Sequence, residues 1–394
     1  MSVSLWQRGG RADAGAGLGH ADVVVVGAGI AGVSAAIALE RAGADVLVLE
    51  SRALAAGASG RNAGYLIRGA ADNYAAGVRA WGRERARTLW RWTEGNLRAL
   101  LEEGVGELPS FRRLPSCIIA TEEREERELR ESAVLLAEDG FDASVIEAGA
   151  GPDDAVWRSG RARLGLVNPG DAVCDPVELV SHLRAQLTRA RIVQGVEVGA
   201  IGAAGSGVRV ETSGGAVTGG RVLVCTNAWA GTLIEALRDV VKPNRGQMLA
   251  FHPPRAADAD LAFAYYLDHG SEYLRPGPGG QVVLGGGRKH AELAERGFGE
   301  QTTPGVQAWL ERYAEGLFGS PLRVTARWAG TMGFSPDGVP LVGPVGVEGV
   351  EEGRVWVCAG FTGHGMSLAF TTARAAVGEM LGGERTPFGV DRLG

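Results

Sequence analysis

Cysteine and lysine are scarce in this sequence, and each scarcity rules something out. The four cysteines, Cys117, Cys174, Cys225 and Cys358, are scattered, with no CxxC pair and no metal-ligand spacing. That leaves no basis for a disulfide framework or a zinc centre, and predicts reduced thiols packed as small hydrophobes in a cytoplasmic protein. Only two lysines occur, Lys242 and Lys289, and the net charge is -6, so no basic face for nucleic acid is implied. No apolar run approaches the roughly 18 residues needed to cross a membrane. The first twenty residues lack a signal-peptide core and read as a loose Gly/Ala/Arg-rich arm pinned at Trp6. A soluble protein is expected.

Glycine, by contrast, is abundant, at 62 of 394 residues, and much of it sits between apolar strands. That placement predicts tight turns and close backbone approaches rather than disorder. The length allows two domains, or one large domain with an insertion.

Two Gly-rich strand–turn–helix units stand more than three hundred residues apart. In the first, the apolar strand Val23–Val26 meets Gly27, Gly29 and Gly32, and a helix from about Ala31 to Ala42 ends at Gly43. A second strand, Asp45–Leu49, closes with Glu50. The first glycine allows the tight turn, the second lets a pyrophosphate approach the backbone, and the third lets helix and strand pack closely. The N–H groups of the helix N-terminus and its positive dipole end favour phosphate, and Glu50 stands where a carboxylate accepts from ribose hydroxyls. Strand, turn, helix, strand and acid in this order predict a dinucleotide site. The second unit is Val357–Phe370, VCAGFTGHGMSLAF.

Between these units, helices are expected at Trp81–Glu103, at the charged run after Thr121 (with Thr121 as cap), at Pro176–Arg189 and at Pro304–Leu317. Strands are expected at Cys117–Ala120, Ile192–Val198, Val208–Thr212, Ala216–Val217 and Val222–Cys225, with a hairpin turn at Gly214–Gly215. Short strands separated by Pro/Gly turns from Met248 to Leu284 predict an antiparallel sheet. Further strands are expected at Arg323–Thr331 and Val355–Ala359, then a last helix to about Leu381.

The segment AAGASGRNAGYL (55–66), with the first unit, VCTNAWAG (224–231), KPNRGQML (242–249), EYLRP (272–276), WAGTMGFSPDGVPLVG (328–343) and GFTGHG, resembles the FAD-dependent oxidoreductases of the D-amino-acid oxidase type. Glycine oxidase and sarcosine oxidase are of this type, and the motifs GASGRN-x-G and GFTGHG are most similar to the gamma-glutamylputrescine oxidoreductases. The resemblance implies an α/β fold in which a Rossmann-type, glutathione-reductase-like FAD domain (1–75, 155–238, 325–394) carries an α+β substrate domain on an antiparallel sheet (76–154, 239–324). It implies FAD held along Gly27, Ala28, Gly29, Ile30, Ala31, Gly32, Glu50, Ser51 and Arg52. The loop Ser59, Gly60, Arg61, Asn62, Ala63 and Gly64 would run past the pyrophosphate, and Val196 would meet adenine. Thr226, Asn227, Trp229 and Gly330 would approach the cofactor as well. Gly360, Phe361, Thr362, Gly363, His364, Gly365 and Met366 would face the pyrimidine end of the ring, with His364 able to add a donor.

The family's substrate-carboxylate arginine falls at Met332 here, which favours an amine without an anchored carboxylate. Arg275 or Arg327 could supply a clamp from elsewhere. Tyr65, Tyr265, Tyr266, Trp328 and Phe361 could wall an amine pocket. The strand Gln281–Leu284 lacks the lysine that assists reaction with oxygen, and no cysteine stands near Gly330, so FAD is expected to be non-covalent. The implied reaction is hydride transfer from the α-carbon of a neutral primary or secondary amine to flavin N5. It gives an imine that water hydrolyses, with reoxidation by O2 or another acceptor. Alternatives are an amino-acid oxidase of the glycine or D-amino-acid type, and a flavin-binding protein without turnover.

Overall fold

A computed structural model describes residues 2–7 and 18–393; most of the expected N-terminal arm lies outside the described residues. Strand His20–Val26 runs parallel to Val46–Glu50 on one side and to Gly215–Val224 on the other. Val46–Glu50 is buried at every position, because helices or loops cover both faces of a parallel sheet. The sheet continues through Arg191–Gln194 beyond Val46–Glu50 and through Val355–Ala359 beside Gly215–Val224, both parallel. Antiparallel strands Leu341–Pro344, Gly207–Thr212 and Val198–Ala204 complete it. Helices Ile30–Arg41 and Gly365–Met380, each starting at one Gly-rich turn, pack together in one hydrophobic core against this sheet.

The second sheet has eight strands and is mixed rather than wholly antiparallel. Ala264–Leu267 pairs parallel with Ser116–Ala120, while the other pairings are antiparallel. Leu164–Asn168 and Arg323–Phe334 hydrogen-bond into this sheet, although the boundaries at 155 and 325 place all of the first and most of the second on the cofactor side.

Several boundaries differ from the sequence reading for local reasons. The expected helix Trp81–Glu103 starts two residues late, as Arg83–Glu102, because Gly82 at φ 81° breaks it from a separate helix, Tyr74–Trp81, that lies mostly in a stretch read as loop-rich. Ile192–Val198 breaks at Gly195 (φ 76°), and the separate segments 216–217 and 222–225 are joined in the one strand Gly215–Val224. Pro176–Ala185 stops four residues early, where the Glu40 carboxylate accepts the backbone N–H groups of Thr188, Arg189 and Ala190. Glu122, not Thr121, caps Glu123–Glu138, in a reciprocal capping box with Glu125.

Candidate active site

The first Gly-rich turn is shaped by hard sterics. Gly27 adopts φ +105°, and a Cβ on Gly32 would stand 1.8 Å from the Gly27 carbonyl oxygen, so the helix can approach the strand only through glycine. The backbone N–H of Ala28 donates to Glu50 Oε2 at 2.9 Å, and that of Arg52 donates to Oε1 at 2.9 Å. These bonds fix the carboxylate at the strand end. Ser59 Oγ accepts from the Ile30 N–H at 3.0 Å, at the helix N-terminus.

These groups open on a cavity of about 530 Å³, whose lining runs from Val196 and Glu50 past Gly27, Gly29 and Ser59 to Gly363, Gly365 and Met366. Ile30, Ala31, Ser51, Arg52, Thr226, Asn227, Trp229 and Phe361 also line it. Residues of both Gly-rich turns therefore line one cavity. A second cavity, of about 420 Å³, shares Ala58, Asn62, Met332, Gly363 and Met366 with the first. One face of the second sheet forms its wall. Gly330, Met332 and Phe334 alternate along one strand, and Gly246 and Met248 along its neighbour, because every second residue of a strand points to the same side. Tyr65, Tyr266 and Tyr273 add a cluster of rings with centroids 5.2 to 6.0 Å apart.

Other expected residues fall elsewhere. Arg61 and Ala63 line only the second cavity, as do Gly330, Thr362 and His364. Ala28, Gly32, Gly60, Gly64 and Gly360 line neither. A Cβ on Gly60 would lie 2.3 Å from the Ala55 carbonyl oxygen, and one on Gly64 would lie 1.9 Å from that of Cys174, so both serve packing. The Gly360 N–H donates to Asn227 Oδ1 at 3.0 Å.

Arg275 is corrected as a clamp. Its guanidinium is buried, donates to the carbonyls of Ala63, Pro276 and Cys174, and lies over the Trp6 ring. Arg327 is held by Gln307 and Glu311, outside both cavities. Tyr265 and Trp328 are core residues, hydrogen-bonded to Asp154 and to the Arg61 carbonyl respectively. The donor role for His364 is corrected too. Its Nδ1 faces the Thr362 carbonyl at 3.3 Å and so carries the proton, which leaves Nε2 an acceptor. Nε2 is buried without a partner, and burial lowers the imidazole pKa, keeping it neutral.

The N-terminal segment is held at Trp6 as expected, while two further contributors, residues 298–301 and Arg288, gave no usable signal in the sequence. Trp6 donates to the Asn62 carbonyl at 2.8 Å, and Ser4 Oγ donates to the Gly60 carbonyl at 2.5 Å, so the N-terminal segment braces the loop between the cavities. Residues 298–301 line the cofactor-side cavity, with Phe298 against the Trp229 ring and Glu300 paired to Arg52 at 2.6 Å. Arg288 lines the second cavity with its guanidinium 4.7 Å from the Phe334 ring centroid.

The donor set fits a dinucleotide. The glycine cradle at Gly27 and Gly29, a fixed carboxylate at Glu50, and the partnerless buried Thr226 Oγ1 all stand along the first cavity. Cys225 also lines this cavity, among the residues at the Gly27 turn; no cysteine lines the second. No helix is long and apolar enough to span a membrane among the described residues, and no cluster of potential metal ligands occurs among them.

Comparison with known proteins agrees with this geometry. Glycine oxidase of Pseudomonas aeruginosa is 29% identical over 381 residues, covering 92% of this chain and 95% of that protein. The crystal structure of glycine oxidase from Geobacillus kaustophilus superimposes with a TM-score of 0.76 at 20% identity, over 94% of this chain and 96% of its own. The gamma-glutamylputrescine oxidoreductase of Escherichia coli is 43% identical, but over only 68 residues, 17% of this chain and 16% of that protein. The motif likeness to that enzyme is therefore local, whereas the glycine oxidase likeness is of full length. The family described as FAD dependent oxidoreductase (DAO) matches residues 22–378, and the chain belongs to it.

Proposed function

We propose that the protein oxidises a primary or secondary amine at the carbon bearing nitrogen, in the second cavity, with FAD held non-covalently in the first. The observation that carries this reading is the junction: Asn62, Met332, Gly363 and Met366 line both cavities, so a flat ring seated there faces a substrate across its plane. FAD, when bound, supplies the two-electron acceptor for the α-hydrogen. The Gly27–Gly32 turn and Glu50 would hold its diphosphate and ribose, and Val196 would meet adenine. The first turn of helix Gly365–Met380 would place backbone N–H groups and the positive dipole end by the ring's pyrimidine edge, where negative charge develops.

On the substrate side, the tyrosine cluster, Phe334 and the methionines Met248, Met332 and Met366 exclude water and pack apolar groups. His364 lines this cavity as a neutral imidazole whose Nδ1 is turned to the Thr362 carbonyl. Lys289, which lines the second cavity, is paired with Asp268, so electron transfer to O2 or to another acceptor are both compatible with the site.

Anaerobic mixing of the FAD-loaded protein with a panel of amines and amino acids tests the reading, and bleaching of the flavin by at least one compound is expected. Acid precipitation should release all flavin into the supernatant; flavin left in the pellet would contradict non-covalent binding. Hydrogen peroxide release in air then separates oxidase from dehydrogenase.

A further inference from the structure

We propose that Asn227 is a positioning residue of the cofactor site, holding the second Gly-rich turn with one end of its carboxamide and the bound cofactor with the other. It thereby sets the potential of the flavin. The inference rests on the proposed seat of FAD in the first cavity and adds a role for one side chain there.

Strand Gly215–Val224 ends beside the first Gly-rich turn, where the Cys225 N–H donates to the Val26 carbonyl at 2.8 Å. Two residues on, Asn227 adopts φ 47°, in the left-handed region that non-glycine residues seldom enter. Thr362, in the second turn, has the same φ, and a β-branched residue is rarer still in that region. Its N–H donates to the Gly333 carbonyl at 2.9 Å, and its Oγ1 accepts from the Ser335 N–H at 3.2 Å. Only five described non-glycine residues have positive φ, so two of them at one junction points to strain kept for a purpose.

The side chain explains the backbone. Asn227 Oδ1 accepts from the Gly360 N–H at 3.0 Å and from the Phe361 N–H at 3.4 Å. A Cβ on Gly333 would stand 2.7 Å from Oδ1 and 2.8 Å from the Ala228 nitrogen, so strand Arg323–Phe334 also closes on this point, next to Met332. One carboxamide thus joins the end of a first-sheet strand, the second turn and the second sheet. Its orientation is fixed, because only the oxygen can accept two N–H groups. Nδ2 is left with two hydrogens, no hydrogen bond among the described residues, and an accessible position. Asn227 lines the first cavity, together with Met332, Gly363 and Gly365, and does not line the second. Its free donor therefore serves the occupant of the first.

Helix Gly365–Met380 begins four residues after Phe361, so the place of its N-terminal N–H groups follows the place of the turn. Donors of this kind work only while they are held at the right distance from the charge that develops. The neutrality of Asn227 matters as well. An aspartate would hold the turn equally well, but it would give no hydrogen to an anionic dinucleotide and would repel it.

Three forms of the full chain test this: wild type, Asn227→Gly and Asn227→Asp. Glycine accepts φ 47° without strain and removes the carboxamide, so its defects report the side chain and not the backbone turn. Midpoint potential and sulfite affinity are measured on FAD-loaded protein, FAD affinity by fluorescence titration, and hydrogen exchange of segment 360–363 on the apoprotein. In Asn227→Gly, exchange of that segment should quicken by about tenfold or more. Sulfite, whose flavin adduct carries its charge on the ring's pyrimidine edge, should bind about tenfold more weakly. The potential should fall by about 30 mV, the equivalent of a tenfold shift in a two-electron couple. Asn227→Asp should exchange as the wild type does, yet bind FAD about tenfold more weakly or worse. Asn227→Gly with wild-type exchange, or with wild-type potential and sulfite affinity, would overturn the inference. So would Asn227→Asp that binds FAD as tightly as the wild type. If Asn227→Gly retains no FAD, the exchange rate alone decides. A wild type that binds no FAD would instead overturn the underlying reading.

Discussion

At Gly32 a single methyl group meets backbone rather than a side chain, so nothing nearby can yield without moving the dinucleotide turn. Gly32→Ala should destabilise the fold by about 3 kcal/mol and abolish FAD retention, measured by thermal melting and by the flavin-to-protein absorbance ratio. Asp171 makes a different prediction. Burial pushes its carboxyl up to about 7, against hydrogen bonds from Ser116 Oγ and the Arg68 N–H. The folded state therefore holds this proton more tightly than the unfolded chain, whose carboxyl titrates near about 3.9. Its stabilising contribution is complete below that value and is lost as pH rises through about 7. The melting temperature should fall between pH 5 and pH 8, and Asp171→Asn should flatten that fall. Single residues were also where sequence reading was weakest. Gly27, Gly29, Gly32 and Glu50 could be recognised because their spacing dictates their geometry. Arg275 and Arg288 could not be told apart, because which arginine meets a cavity depends on the carbonyls that surround the other.

Elements whose hydrophobic period is local were legible. The first helix, the strand after it, Val355–Ala359 and the end of the final helix stand within one residue of expectation, while the first strand starts three residues early, at His20. Breaks were missed where a lone glycine turns left-handed inside an apolar or helical pattern, as at Gly82 and Gly195. The N-terminal segment shows what periodicity cannot reach. Trp6 is buried at 4% exposure, donates to the Asn62 carbonyl and lies beneath Arg275, although it stands in no repeating apolar pattern. Trp6→Ala should cost about 3 kcal/mol of stability. It should also weaken FAD binding, because Asn62 stands between the two cavities; fluorescence titration of the apoprotein with FAD measures this. An unchanged FAD affinity would limit Trp6 to packing.

On the scale of the whole molecule, two sheets are arranged so that the helix-bearing turns of one meet the open face of the other. The cofactor-side cavity is built mainly from loops at the strand ends of the first sheet, and the substrate-side cavity from side chains alternating on the second. This division was legible because parallel, fully apolar strands and short Pro/Gly-punctuated strands read differently. The parallel pairing of Ala264–Leu267 with Ser116–Ala120 was not, since it joins strands about 150 residues apart with no local signal. The residues common to both cavities make the central claim: a cofactor ring and an amine meet at Asn62, Met332, Gly363 and Met366. Anaerobic stopped-flow mixing of the FAD-loaded protein with paired amino acids and amines tests it most directly. The account predicts rapid loss of the oxidised flavin's visible band with at least one member of the panel. A flavin that stays oxidised against the whole panel would contradict it.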